Sequence, residues 1–310
     1  MKNPHDKFVK ETLTRRENAV SFFREYLPPE IVSQLDWRTL KIAKDSFIKP
    51  ELEERFSDIV YEIRAKGKTV FIYLLLEHQS SADPWMALRF LRYMLELWEL
   101  WRKQNPGKRK LPGIIPVLLY HGKDEWKVSV NFQDLFDEPG LTADFIPKFR
   151  YLLKDFSLTG DEEIRGKIML RLFLMLVSKI FSPDFREEFD RIIPLITELS
   201  RQETGMKYIE TALRYIFHAS DAFTLTELET ELEKALDEDR KGVIMTIADE
   251  LRMEGEIKGE IKAYQELLTQ GLLPETVAER LKEKIAELTK ELENIISQLY
   301  TGEGSSESLR

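Results

Sequence analysis

Apolar positions lay out the first half of the chain as alternating helical and extended stretches. Phe8, Leu13, Val20, Phe23 and Leu27 recur at helical intervals across residues 5–27, and Pro28-Pro29 ends that run. PEIVSQL then predicts a short helix with Pro29 near its start. LKIAKDSFI, residues 40–48, alternates as a strand does. Two apolar, β-branched runs at 56–64 and 69–77 flank Lys66-Gly67 and predict a β-hairpin. Residues 81–104 form a long amphipathic pattern that starts at Ser81 or Asp83 as N-cap, with Pro84 in the first turn. LPGIIPVLLYHG, residues 111–122, reads as a buried strand bounded by Gly and Pro. The predicted order is αβββαβ, an α/β core.

From about residue 160 the pattern is almost wholly helical. Four helical periods end near residue 238, and a highly charged stretch follows. Gly255 and Gly259 fall inside its helical pattern and are expected to weaken it. Beyond Pro274, Leu281, Ile285, Leu288, Leu292, Ile295 and Leu299 step by alternate fours and threes, an a/d seam of about three heptads. Such a seam serves either a self-associating coiled coil, giving a homodimer or homo-oligomer, or a helix docked on its own domain. The expected division is a core at 1–155, a helical domain at 156–238, a charged helix and coiled-coil segment at 239–300, and a disordered tail at 301–310.

Composition narrows the chemistry. The 310 residues include no Cys, which excludes disulfides, thiolate metal sites and cysteine nucleophiles. The polar N-terminus lacks a signal-peptide core, and the apolar stretch 168–181 is too short to span a bilayer and carries Arg171 and Lys179. A cytoplasmic protein with no membrane partner is expected. The net charge of −9 is uneven: residues 1–155 carry 26 basic and 23 acidic side chains, against 20 and 32 in the rest. Within the first half, Arg102, Lys103, Lys108, Arg109 and Lys110 cluster around an Asn-Pro-Gly turn. They form either an ordinary solvated loop or a grip for DNA phosphates.

The hairpin poses the sharpest question, because Asp58 interrupts its first strand while Glu77 and Gln79 close its second. A two-residue turn at Lys66-Gly67 places Asp58 opposite Leu75, with Glu77 as its diagonal neighbour on the same face. Diagonal neighbours lie about 7–8 Å apart, close enough for two carboxylates to reach one cation. Oxygen donors of this kind suit Mg²⁺ or Mn²⁺. The alternative is a pair of solvated strand-end carboxylates.

The same residues carry a resemblance. The order αβββαβ, with Asp on the second strand and Glu-x-Gln on the third, resembles the PD-(D/E)XK restriction-endonuclease-like superfamily. More narrowly, HDKFVKETL, SDIVYEI, LLLEHQSS, MALRFLRYM and PVLLYHG together resemble the Rpn (YhgA-like) family of recombination-promoting nucleases, also labelled transposases. The resemblance covers roughly residues 4–130 closely. It implies a divalent-metal-dependent DNA endonuclease linked to recombination, mobile DNA or defence, with Asp58 and Glu77 as metal ligands. Gln79 stands where the wider superfamily has Lys, so it can orient water but cannot offset phosphate charge. Asp6 either completes the metal shell or caps the first helix, with Glu11 as the rival acid; Arg89 and Tyr93, four residues apart, share a helix face that either aims at a phosphate or packs on the sheet. His121, at the end of the fourth strand, is expected to support the site from behind the ligands. The alternative function is a nuclease fold of weak or lost activity that binds DNA or assembles.

Overall fold

The computed structural model describes residues 4–43, 58–77, 82–122, 124–137, 140–157, 160, 163–269 and 273–301; within these, the side chains of residues 4, 6, 77, 235, 238, 239, 243 and 295–301 lie outside the described set. The chain divides into two units, Met1–Ala222 and Phe223–Arg310.

The first unit is built on a five-stranded sheet in the order β1-β2-β3-β4-β5. Three helices open it: α1 (Pro4–Leu13), α2 (Arg16–Tyr26) and α3 (Pro29–Val32). β1 (Leu35–Ile42), β2 (Ile59–Ala65) and β3 (Lys68–Glu77) are antiparallel neighbours. Helix α4 (Met86–Gln104) then returns the chain so that β4 (Gly113–Tyr120) lies parallel to β3, and β5 (Leu152–Asp155) lies parallel to β4. The β2–β3 turn has the geometry the sequence asks for. Lys66 and Gly67 both take positive φ, 49° and 77°, as a type I′ turn requires. Ala65 pairs with Lys68 and Ile59 with Leu74, the register expected from a two-residue turn.

Both faces of the sheet are covered. Val60, Phe71, Tyr73, Leu75, Leu118 and Tyr120 pack against Met86, Ala87, Phe90, Tyr93 and Leu97 of α4. On the opposite face Tyr61 donates to the Leu13 carbonyl at 2.7 Å and meets Phe23 edge-on at 5.0 Å. Near-continuous apolar strands such as VFIYLLL are what double coverage demands. Behind α1 stand α5 (Ile168–Lys179), α6 (Phe185–Ser200) and α7 (Gly205–Ala219). Residues 169–177 of α5 are nearly all buried, as for a helix packed on every side. Phe8 of α1 stacks on Tyr215 of α7 at 4.5 Å and meets Phe173 of α5 at 5.3 Å.

Several predicted elements differ. α4 begins at Met86 with Trp85 as its N-cap, rather than with Ser81 or Asp83 as cap, and the helix predicted over PEIVSQL ends at Val32. The run 5–27 is two helices because the chain turns at Thr14-Arg15, where Asn18 Nδ2 donates to the Thr12 carbonyl at 3.0 Å and Tyr61 takes the Leu13 carbonyl. The first strand begins at Leu35 rather than at residue 40, with an irregularity between Asp36 and Lys41 that breaks its alternation; residues 44–48 lie outside the described set.

The second unit contains α8 (Leu225–Ala235), α9 (Glu238–Thr269) and α10 (Glu275–Thr301). Thr224 and Glu227 form a reciprocal capping box at the start of α8. α9 runs unbroken through Gly255 and Gly259, where an added Cβ meets nothing within 4 Å. Leu288 and Leu292 of the heptad seam are buried against Ile257, Ile261 and Tyr264 of α9. Among the described residues, no helix is long and apolar enough to cross a membrane.

Four buried tyrosines give the first unit an alkaline limit. Burial raises the pKa values of Tyr61, Tyr73, Tyr208 and Tyr215 above the ordinary phenol value. Above pH 10 the unfolded chain sheds these protons while the folded chain keeps them, so stability falls as pH rises. Each group contributes about 1.4 kcal/mol per pH unit. Urea titrations from pH 8 to 11.5, read by circular dichroism, are expected to show constant stability to about pH 10 and a steep loss beyond it.

Candidate active site

Asp58 stands immediately before β2, and it is the one buried carboxylate among the described residues of the first unit, at 5% exposure. Its Oδ2 accepts a 2.6 Å hydrogen bond from the Tyr73 hydroxyl. That contact places Asp58 on the sheet face that α4 covers, the face shared by Tyr73 and Leu75. Tyr73 stacks on Tyr93 of α4, with centroids 5.4 Å apart and rings 5° from parallel. The Arg92 guanidinium lies 5.0 Å from the Tyr93 ring centroid. Burial, then the Asp58 charge and hydrogen bond, push the Tyr73 phenol well above its ordinary pKa. Tyr73 therefore keeps its proton well beyond the ordinary phenol range and donates the hydrogen bond to Asp58.

Strand register gathers other chain ends near this point. Glu77 is the last residue of β3 and pairs with Tyr120, which pairs in turn with Asp155 of β5. These are the carboxyl ends of three parallel strands, where open α/β sheets bind ligands. The two described acids here and at the start of α4 are engaged locally. Asp155 accepts from the backbone amides of Trp126 and Ser157, both at 2.8 Å. Asp83 accepts from the Trp85 amide at 2.8 Å and from Arg89 Nη1 at 3.0 Å. His121, just past β4, is 1% exposed and stacks on Phe181. His5 of α1 lies 5.6 Å from His121 between ring centroids, and its Nδ1 bonds the Tyr215 hydroxyl at 2.8 Å. The start of α1, and with it the backbone of Asp6, thus reaches the same end of the sheet.

Of the residues singled out in the sequence, Asp58, Tyr93 and Arg89 come to the α4-covered face, and His121 to the carboxyl ends of the strands. Glu11 lies further along α1, paired with Arg15 at 3.6 Å. Gln79 lies outside the described residues. Arg102, Lys103, Lys108, Arg109 and Lys110 are all exposed, but they precede β4 and so occupy the opposite end of the sheet. Seven strand steps separate the two ends, about 23 Å at ~3.3 Å per residue. Tyr73 and His5 were not anticipated. Tyr73 had a signal: a register that makes 77 one diagonal neighbour of Asp58 makes 73 the other.

Asp58, just before β2, and Glu77, the last residue of β3, are acidic residues at adjoining strand ends, and carboxylates are the residue type that suits a hard divalent cation. Among the described residues there is no cluster of three His, Cys, Asp or Glu side chains able to hold a metal.

Fold and site together define a mixed α/β protein with a five-stranded sheet, a helical C-terminal half, and a buried carboxylate where the strands end. Residues 3–207 match the family described as "Putative transposase, YhgA-like", and the chain belongs to that family. It is 30% identical over 256 residues to the inactive recombination-promoting nuclease-like protein RpnE of Escherichia coli K12, covering 82% of this chain and 83% of that protein. It is 27% identical over 270 residues to the recombination-promoting nuclease RpnA of the same strain, covering 87% and 90%. With RpnD of Escherichia coli O157:H7 it shares 28% over 250 residues, covering 80% and 94%. No solved structure matches the chain.

Tyr73→Phe isolates the support of Asp58. Removing the hydroxyl leaves a buried carboxylate short of a donor, a change expected to cost about 1–3 kcal/mol. Urea unfolding at pH 7 measures that loss, and an unchanged midpoint counts against the contact.

Proposed function

We propose that the chain is a divalent-metal-dependent DNA endonuclease with a PD-(D/E)XK-type core, acting in recombination or on mobile DNA. The observation that carries this reading is Asp58: a carboxylate held 5% exposed beneath a helix is costly to bury and belongs to a working site. Its placement beside the carboxyl ends of β3 and β4, and relatives named recombination-promoting nucleases, support the same reading.

In this proposal Asp58 and Glu77 hold Mg²⁺ or Mn²⁺. A divalent ion there supplies an acidified water and stabilises charge on the phosphate. The chain's own residues do the rest. Tyr73 fixes Asp58, and the Tyr73–Tyr93 stack with the α4 core keeps bulk water from that carboxylate. Gln79, a neutral amide, orients the attacking water by hydrogen bonds without shifting its charge. Arg89 is committed to Asp83, so its part is to brace the start of α4. Copies assemble through the C-terminal helices in this proposal, by a surface other than Leu288 and Leu292, which α9 covers.

The second reading is a nuclease fold that binds DNA and cuts weakly or not at all. It is favoured by the relative named inactive at 30% identity and by the amide at position 79.

Nicking of supercoiled plasmid in Mg²⁺ or Mn²⁺ decides between them. Asp58→Asn keeps an acceptor for Tyr73 while removing the charge, and is expected to lose roughly 100-fold or more in rate, as does Glu77→Gln. Cleavage at the wild-type rate in both variants sinks the site; plasmid left intact by the wild type in either metal selects the second reading.

A further inference from the structure

The cations at the far end of the sheet come from two separate parts of the chain. Ala65 pairs with Lys68 across the hairpin turn, and Val70 pairs with Gly113, so Lys108, Arg109 and Lys110 lead into β4 beside that turn. Helix α4 ends at Gln104 on its way to the start of β4, which brings Arg102 and Lys103 to the same end. Arg64, Lys66 and Lys68 of the hairpin are exposed, as are all five cations of the 102–110 segment. Residues 63–76 and 100–122 contain no Asp or Glu. Two acids lie nearby: Glu99 engages Arg102 at 2.9 Å, and Asp36, the strand partner of Arg64, engages Arg38 at 3.2 Å. Lys66 lies in the two-residue turn and Lys68 opens β3 directly after it, so both project from a backbone whose register the β2–β3 ladder sets.

We propose that this end of the sheet is a phosphate-gripping surface for duplex DNA, assembled from the β2–β3 turn and the α4–β4 connection and separate from the carboxylate end. It rests on the reading that the chain acts on DNA. The strand length between the two ends, about 23 Å, corresponds to about seven base pairs of duplex rise. DNA gripped here is therefore held well away from the carboxylates. Such a surface reads charge spacing and not base sequence, because phosphate contacts position a duplex without carrying sequence information.

Fluorescence anisotropy with a short labelled duplex in EDTA tests it on the full chain, with cleavage silent. Lys66→Glu with Lys68→Glu, and separately Lys108→Glu with Arg109→Glu and Lys110→Glu, are each expected to weaken binding roughly tenfold or more at low salt. The slope of log affinity against log salt is expected to flatten by about 0.9 for each phosphate that the variant no longer neutralises. Thermal unfolding checks each fold; a variant that melts early is replaced by its Gln counterpart, which removes charge without reversing it. Duplex binding unchanged in the folded hairpin variant overturns the proposal. So does loss of binding confined to phosphatidylserine vesicles while duplex binding holds. A wild type that grips duplex through these cations yet never cuts plasmid leaves this surface standing and removes the nuclease reading alone.

Discussion

The two residues Lys66 and Gly67 hold the sheet in one register, and almost every contact in the first unit follows from it. Both adopt positive φ, and the turn they make fixes seven consecutive pairs from Ile59–Leu74 to Ala65–Lys68. In that register Val60, Tyr73 and Leu75 meet α4, while Tyr61 reaches the end of α1. A slip of one residue turns every side chain of β2 to the other face. It puts a carboxylate among the α1 and α2 aromatics and a tyrosine ring against α4. The hydrogen bond from Tyr73 to Asp58 exists only because the turn has two residues.

Burying both faces of the sheet leaves its ends as the places for polar chemistry. The two ends have taken opposite character. At one, Asp58, the end of β3, Tyr120, His121 and His5 converge around buried aromatic rings. At the other, exposed Lys and Arg side chains come from residues 63–76 and 100–122, two stretches that contain no Asp or Glu. The whole-chain charge of −9 hides this separation, since the acidic excess falls in residues 156–310.

Much of this was legible in the sequence, for reasons that differ by element. The hairpin, its register, α4, β4 and the helical second half announce themselves through turn chemistry and periodicity, which are local. The break after Leu13 was not legible, because its carbonyls are satisfied by Asn18 and by Tyr61, the latter 48 residues away. β1 was misplaced because its irregularity conceals the alternation that identifies a strand. β5, four residues long, is too short to leave a pattern. At the site, Asp58 stood out as a charge inside an apolar run, whereas Tyr73 looked like one more core aromatic. His5 is invisible without the packing of α1 against α7, since its partner Tyr215 lies 210 residues on. The heptad seam was legible as an apolar stripe, but periodicity does not say which surface covers it; here Leu288 and Leu292 meet α9.

β1 and β5 are the outer strands of the sheet, and an outer strand invites pairing with a strand of another molecule. β5 offers only four residues, too few for a stable added ladder. β1 is longer, but its ladder to β2 is interrupted, and Arg38 and Lys41 project from it, Lys41 paired with Glu62 at 3.1 Å. The broken alternation that hid β1 from sequence reading also blunts it as a template, protecting the sheet from edge-to-edge aggregation.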